Sequence, residues 1–318
     1  MLSTDSSNKT VKNSNSNFVK ILAIFSIARW YNIFLITISL YAIQIFIFEN
    51  SIRFLFSSSG INLHLYVLSI DLIVIGGYLI NAFYDFEKDM INQPEKTYFD
   101  RLVSKRSCLN IYMLCNIFGL LIAYLISNKI LLFSAILISV LWIYSHKLRK
   151  KVLLGEISAS LLLISLFLGV GIINHKFDLT LAIFSTYIFT IDLTREIVKK
   201  MISLKGDLIV GEKSIPIYFG IKNCKYIIFF LMISSMVAIL TLLPIIIYKP
   251  FSYYFIVAFF IISISIYLLN LAKIKSQYEK INSIYKLLLG LAIISITLYL
   301  SLIYENILLH CFNYFCQL

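Results

Sequence analysis

The sequence predicts an all-α, polytopic membrane protein of about nine transmembrane helices. Three observations lead there. Of the 318 residues, 60% are hydrophobic and 14% charged, against roughly 25% charged in a soluble globular domain. The mean hydropathy is +0.88. The apolar residues are gathered into runs, most of them close to the ~20 residues that cross a hydrocarbon core.

In chain order the predicted spans are 22–49, 64–85, 108–127, 130–146, 152–173, 178–198, 224–247, 251–271 and 285–309. Before the first lies "MLSTDSSNKTVKNSNSN", polar and without the apolar centre of a cleavable leader. Residues 1–18 are therefore expected to be a disordered cytoplasmic tail, and the first span to direct insertion. The fourth run is short, and the seventh and eighth are separated only by a tight turn at Pro250. Asp71 is an acid inside the second span, followed by Gly76 and Gly77, and is expected to be buried and hydrogen-bonded. Cys108, Cys115, Cys224, Cys311 and Cys316 form no CxxC pair and no zinc-like spacing with histidine. They read as reduced, small apolar residues.

The net charge of +12 is a topology signal rather than a nucleic-acid signal. With the loops assigned alternately to the two sides, all the Lys and Arg residues except Arg53, Lys129, Lys176 and Lys249 fall on the N-terminal side. That asymmetry follows the positive-inside rule and places the N-terminus and the charged motifs in the cytoplasm. No basic helix or aromatic-basic module for nucleic acid is present.

Where the second span ends, the chain reads "NAFYDFEKDMINQPEKTYFD". Asn81, Asp85 and Asp89 stand at i, i+4 and i+8, on one helical face with about 6 Å between successive Cβ atoms. Carboxylates four residues apart repel, more so near the low-dielectric edge of a membrane. A divalent cation offsets that repulsion, and oxygen ligands of this kind suit Mg²⁺. The alternative is a wet helix end capped by polar side chains.

The run "NAFYDFEKDMINQPEK" resembles the first aspartate-rich motif of the UbiA-type membrane prenyltransferases. Asn81, Asp85 and Asp89 match its metal-binding positions, and Asn92, Pro94 and Lys96 match its tail. "TYFDRLVS" departs from the glycine-containing turn that usually follows. "ARWYNIFLI" resembles the family's Arg-Pro-x-Asn start, with Arg29 and Asn32 kept and Trp30 in place of proline. "WIYSHKLRKKVLLGEISAS" resembles the segment after the fourth helix through Tyr144, Ser145, Leu148 and Arg149. Residues 194–220, "TREIVKKMISLKGDLIVGEKSIPIYFG", resemble the second acidic motif in the form of the digeranylgeranylglyceryl phosphate branch. Arg195, Glu196, Ile197, Lys199, Gly206, Asp207 and Gly211 match, whereas Lys200 and Ser203 stand where aspartates are expected.

The resemblance implies a single UbiA-like bundle over residues 19–318 and an Mg²⁺-dependent transfer from a prenyl diphosphate to a lipophilic or glyceryl-phosphate acceptor. It implies metal binding by Asn81, Asp85, Asp89 and Asp207, the catalytic set. It also implies substrate contacts from Arg29, Asn32, Lys96, Arg149, Arg195, Lys199 and Lys200. One pyrophosphate is then expected at the cytosolic ends of the second and sixth spans. The alternative is that Glu196 and Asp192 simply pair with the nearby Arg195 or Lys199. Alternatives are a degenerate prenyl-lipid-binding paralogue, a prenyltransferase for aromatic quinone precursors, or a transporter, for which no internal repeat is visible. The Ile/Lys/Asn/Ser-rich composition points to a bacterial inner membrane, with membrane lipids as surroundings.

Overall fold

The computed structural model describes residues 19–46, 48, 52–92, 103–177, 179–210, 213–247 and 251–291. Among them the regular structure is helical, without a strand. Helix α1 (Val19–Ile27) and α2 (Trp30–Phe46) meet at a 51° bend. Arg29 sits in that bend with φ 51°, a left-handed conformation that persists only where surrounding contacts hold it. After the short α3 (Ile52–Leu55) comes α4 (Ser58–Asn92). Its apolar part, Gly60–Tyr84, ends one residue before Asp85. At 35 residues the helix is about 52 Å long, well beyond a hydrocarbon core.

Helices α5 (Lys105–Ile126) and α6 (Asn128–His146) follow. Each starts at a serine N-cap: Ser104 accepts from the Ser107 amide and Ser127 from the Ile130 amide. A single tight turn, Leu148–Lys150, leads into α7 (Leu154–Ile173). Then come α8 (Leu179–Ile202), α9 (Leu204–Val210), α10 (Ile215–Ile246), α11 (Phe251–Leu271) and α12, residues 275–291.

Among the described residues six helices are long and apolar enough to cross a membrane, or seven with the bent α1–α2 pair. α8 covers the expected sixth span but carries Asp192, Arg195, Glu196, Lys199 and Lys200 in its second half. α10 begins nine residues before the expected seventh span (Ile215 against residue 224). Pro216 fits its first turn and Gly220 (φ 78°) kinks it, while Lys222, Asn223 and Lys225 mask this start in a hydropathy reading. Most of the expected ninth span, 285–309, lies outside the described residues.

The chain divides into two compact units. The first runs up to Thr37 and includes Leu65–Lys147. Lipid is as apolar as leucine, so close backbone approach and hydrogen bonds drive helix pairing here. Glycines supply the approach. A Cβ at Gly76 would lie 3.2 Å from Asn116 Oδ1, one at Gly77 3.2 Å from Leu141 Cδ2, and one at Gly119 2.9 Å from Ile73 Cγ1. Ser69 Oγ donates to the Gly119 carbonyl over 2.8 Å. Gly119→Ala is expected to lower stability by about 1–3 kcal/mol through overpacking, read as a lower melting temperature in detergent. An unchanged melting curve contradicts this. Asp71 accepts from Thr37 Oγ1 at 2.8 Å, the hydrogen-bonded acid expected.

The second unit comprises Ile38–His64 and the chain from Leu148 onward. Polar pairs bind its helices. Gln44 and Asn174 exchange amide hydrogen bonds of 2.9 and 2.7 Å. Ser235 Oγ donates to Thr190 Oγ1 at 2.8 Å. The Tyr187 and Tyr254 hydroxyls lie 2.7 Å apart, and Tyr254 also donates to the Leu288 carbonyl.

Candidate active site

In the first unit, four of the motif segments' residues meet around α4. Arg29 stands over the Tyr78 ring at 5.5 Å, a cation–π distance. Asn32 Nδ2 donates to the Tyr78 hydroxyl at 3.2 Å. Tyr78 precedes Asn81 by three residues and shares its helical face. Asn81 Oδ1 accepts from Ser145 Oγ at 2.7 Å. The bend residues, the first acidic motif and the Tyr-Ser segment thus come together at the end of the apolar part of α4. The helix continues unbroken through positions 85 and 89. The side chains of Asp85 and Asp89, and all of Lys96, lie outside the described residues.

In the second unit the second half of α8 presents Asp192, Arg195, Glu196, Lys199 and Lys200 at i, i+3, i+4, i+7 and i+8. This spacing is one helical face. Arg195 Nη1 reaches Asp192 Oδ1 at 3.4 Å, and Lys199 pairs with Glu196, the simple pairing that was the alternative for those acids. Asp192 Oδ2 accepts from Ser160 Oγ of α7 at 3.0 Å. After a break at Ser203, α9 brings Asp207 back toward Lys200. Asp207 is fully buried; its Oδ2 accepts from Ser203 Oγ at 3.2 Å and lies 3.9 Å from Lys200 Nζ. Arg149 lies within electrostatic reach of Glu196.

The turn before α7 sets that place. Leu153 has φ 67°, and a Cβ on Gly155 would lie 2.9 Å from the Arg149 carbonyl. The helix start can therefore press against the Arg149 backbone only with glycine there. Glu156 follows in the first turn of α7, 3% exposed, and interacts electrostatically with Lys200, Glu196 and Asp207. The cluster thus sets Glu156, Asp192, Glu196 and Asp207 against Arg149, Arg195, Lys199 and Lys200, the near-neutral balance that buried charge requires.

Sequence reasoning missed Glu156 and Tyr78. The signal for Glu156 was available, since it is the lone acid in the apolar run 152–173. Tyr78 carried no signal among the chain's many tyrosines.

Asn81 Oδ1 is held by Ser145, while the expected Mg²⁺ set of Asn81, Asp85 and Asp89 continues into side chains outside the described residues. In the second motif Asp207 is engaged by Lys200 and Ser203. Among the described residues no three His, Cys, Asp or Glu side chains are grouped to hold a metal, and Lys200 and Ser203 stand against Asp207 where the family form carries acids.

Comparison with known proteins gives a consistent picture. The digeranylgeranylglyceryl phosphate synthase of Korarchaeum cryptofilum (strain OPF8) is 32% identical over 180 residues, 55% of this chain and 62% of its own length. The chain matches its first curated relatives over about three fifths of their length. A structure solved in work on digeranylgeranylglyceryl phosphate synthase in membranes has a TM-score of 0.66 at 20% identity, covering 88% of this chain and 98% of that one. A UbiA homologue from Archaeoglobus fulgidus bound to DMAPP and Mg²⁺ has a TM-score of 0.62 at 17% identity, covering 87% and 99%. The curated relatives are archaeal, which lends nothing to the bacterial source expected from composition. Residues 54–291, about three quarters of the chain, match the family model described as the UbiA prenyltransferase family, and with its apolar helices the chain is an integral membrane protein belonging to that family.

Proposed function

We propose that this chain transfers a prenyl group from a prenyl diphosphate to a prenylglyceryl phosphate, with its charged motifs on the cytoplasmic side. The second motif carries the reading: Arg195, Glu196, Ile197, Lys199, Gly206 and Asp207 stand in the order of the digeranylgeranylglyceryl phosphate branch. Relatives of that name support it.

The bond between the prenyl C1 and the diphosphate oxygen breaks, and its electron pair leaves with the diphosphate. The allylic carbon, now electron-poor, is captured by the acceptor hydroxyl oxygen, whose proton passes to water. Asn81, Asp85 and Asp89 would hold Mg²⁺, and the ion would supply positive charge against a departing diphosphate. Arg29 and Asn32, fixed on Tyr78, and Lys96 and Arg149 bind anionic oxygens of the substrates. Arg195, Lys199 and Lys200 supply preformed positive charge. Lys200→Ala is expected to slow turnover at saturating Mg²⁺ by about 10- to 100-fold, the worth of one charged contact. An unchanged rate removes Lys200 from the substrate contacts.

Purified protein incubated with labelled prenyl diphosphates and a panel of acceptors tests the whole reading. Label is expected in a prenylated glyceryl phosphate and to vanish with chelator. Label in aromatic acids instead moves the chain to the quinone-precursor class. The engagement of Asp207 by Lys200 favours one other reading, a paralogue that binds the prenyl lipid without transferring it. Absence of product from every acceptor, with Mg²⁺ and prenyl diphosphate still raising thermal stability, selects that reading.

A further inference from the structure

We propose that Glu156 is a member of the second acidic motif, where it and Asp207 together hold the Lys200 ammonium in place of a second divalent cation, so that the chain binds a single cation. The inference rests on the reading of this chain as a prenyl diphosphate binder.

Helices α7 and α8 are joined by a short connection and so run antiparallel. Ser160 of α7 is hydrogen-bonded to Asp192 of α8. One turn back from Ser160 on α7 is Glu156; one and two turns on from Asp192 along α8 are Glu196 and Lys200. The pairing therefore carries Glu156 alongside the end of α8, and its carboxylate interacts with Lys200, Glu196 and Asp207. Its Oε2 is buried and has no hydrogen-bond partner among the described residues. A buried carboxylate oxygen left this way is costly unless a cationic group or a ligand answers it. Arg195 and Lys199 are matched to Asp192 and Glu196. Lys200, with a side chain only 14% exposed, is the nearby cation that faces Asp207.

An ammonium is a compact, strongly hydrated point charge. Placed between Asp207 and Glu156, it supplies the positive charge that a metal would otherwise bring and repels a metal arriving at the same carboxylates. Ser203, where the family form carries an acid, instead donates to Asp207 and steadies it. Glu156 is thus a positioning residue: it acts on a diphosphate through Lys200.

The test counts Mn²⁺ on the full chain in detergent, by electron paramagnetic resonance, with a saturating non-hydrolysable prenyl thiodiphosphate. One Mn²⁺ per wild-type chain is expected, and two in the Lys200→Asp, Ser203→Asp double variant. Glu156→Gln is expected to weaken binding of the analogue about tenfold with the Mn²⁺ count unchanged, and Glu156→Asp to recover part of that loss. If the double variant does not fold, as judged by its melting curve, the wild-type count and the Glu156 pair decide. Two Mn²⁺ on the wild type, or unchanged analogue affinity in Glu156→Gln, overturns the inference while leaving the enzyme reading intact. If the analogue fails to bind at any Mn²⁺ concentration, the prenyl diphosphate reading falls and takes this inference with it.

Discussion

Asp85→Ala is expected to cut prenyl transfer by about 10²–10³-fold, the usual cost of removing one preorganised group that stabilises developing charge. The protein should fold normally. Position 85 lies just past the apolar Gly60–Tyr84 stretch, within a helix that continues to Asn92. Alanine is the better helix former and relieves the repulsion between carboxylates one turn apart. The loss should therefore appear in turnover and not in the melting curve. Asp85→Asn, which keeps an oxygen but loses the charge, should fall between the two. Initial rates with a labelled prenyl diphosphate, read beside thermal melts, check this. A variant as fast as the wild type removes Asp85 from the site.

The second large effect is on stability. Asp207 is fully buried, and its carboxylate answers both Lys200 and Ser203. Asp207→Ala leaves a mostly buried ammonium short of its partner, which costs about 3–5 kcal/mol when a buried pair is broken. The melting temperature in detergent should drop clearly. Adding Lys200→Ala to Asp207→Ala should return part of the loss, because the stranded charge is then gone. Such non-additivity separates an ion pair from two independent contacts. If Asp207→Ala melts like the wild type, the pair contributes nothing and the charge balance of the second unit has been misjudged.

Much of this was legible without coordinates. Most of the apolar runs became helices because a span is a local property of about 20 residues, though α4 and α10 run well beyond their expected limits. The i, i+4, i+8 spacing of Asn81, Asp85 and Asp89 needs only a continuous helix, and α4 is continuous there. The i, i+3 pairs Asp192–Arg195 and Glu196–Lys199 follow from spacing in the same way. The start of α10 was missed because its first turns carry lysines and an asparagine that a hydropathy average discounts.

What composition and spacing determined by themselves was a bundle of apolar helices, two charged motifs, and the departure of Lys200 and Ser203 from the family pattern. Which groups answer one another across the chain was decided by tertiary packing: Arg29 and Asn32 meet at Tyr78, Ser145 reaches Asn81, and Glu156 comes within electrostatic reach of Lys200 and Asp207. The physical reason is range. Helix formation and side-chain spacing are set within a few turns, whereas the partner of a buried charge is chosen by whichever distant segment the glycine contacts and interhelical hydrogen bonds bring against it.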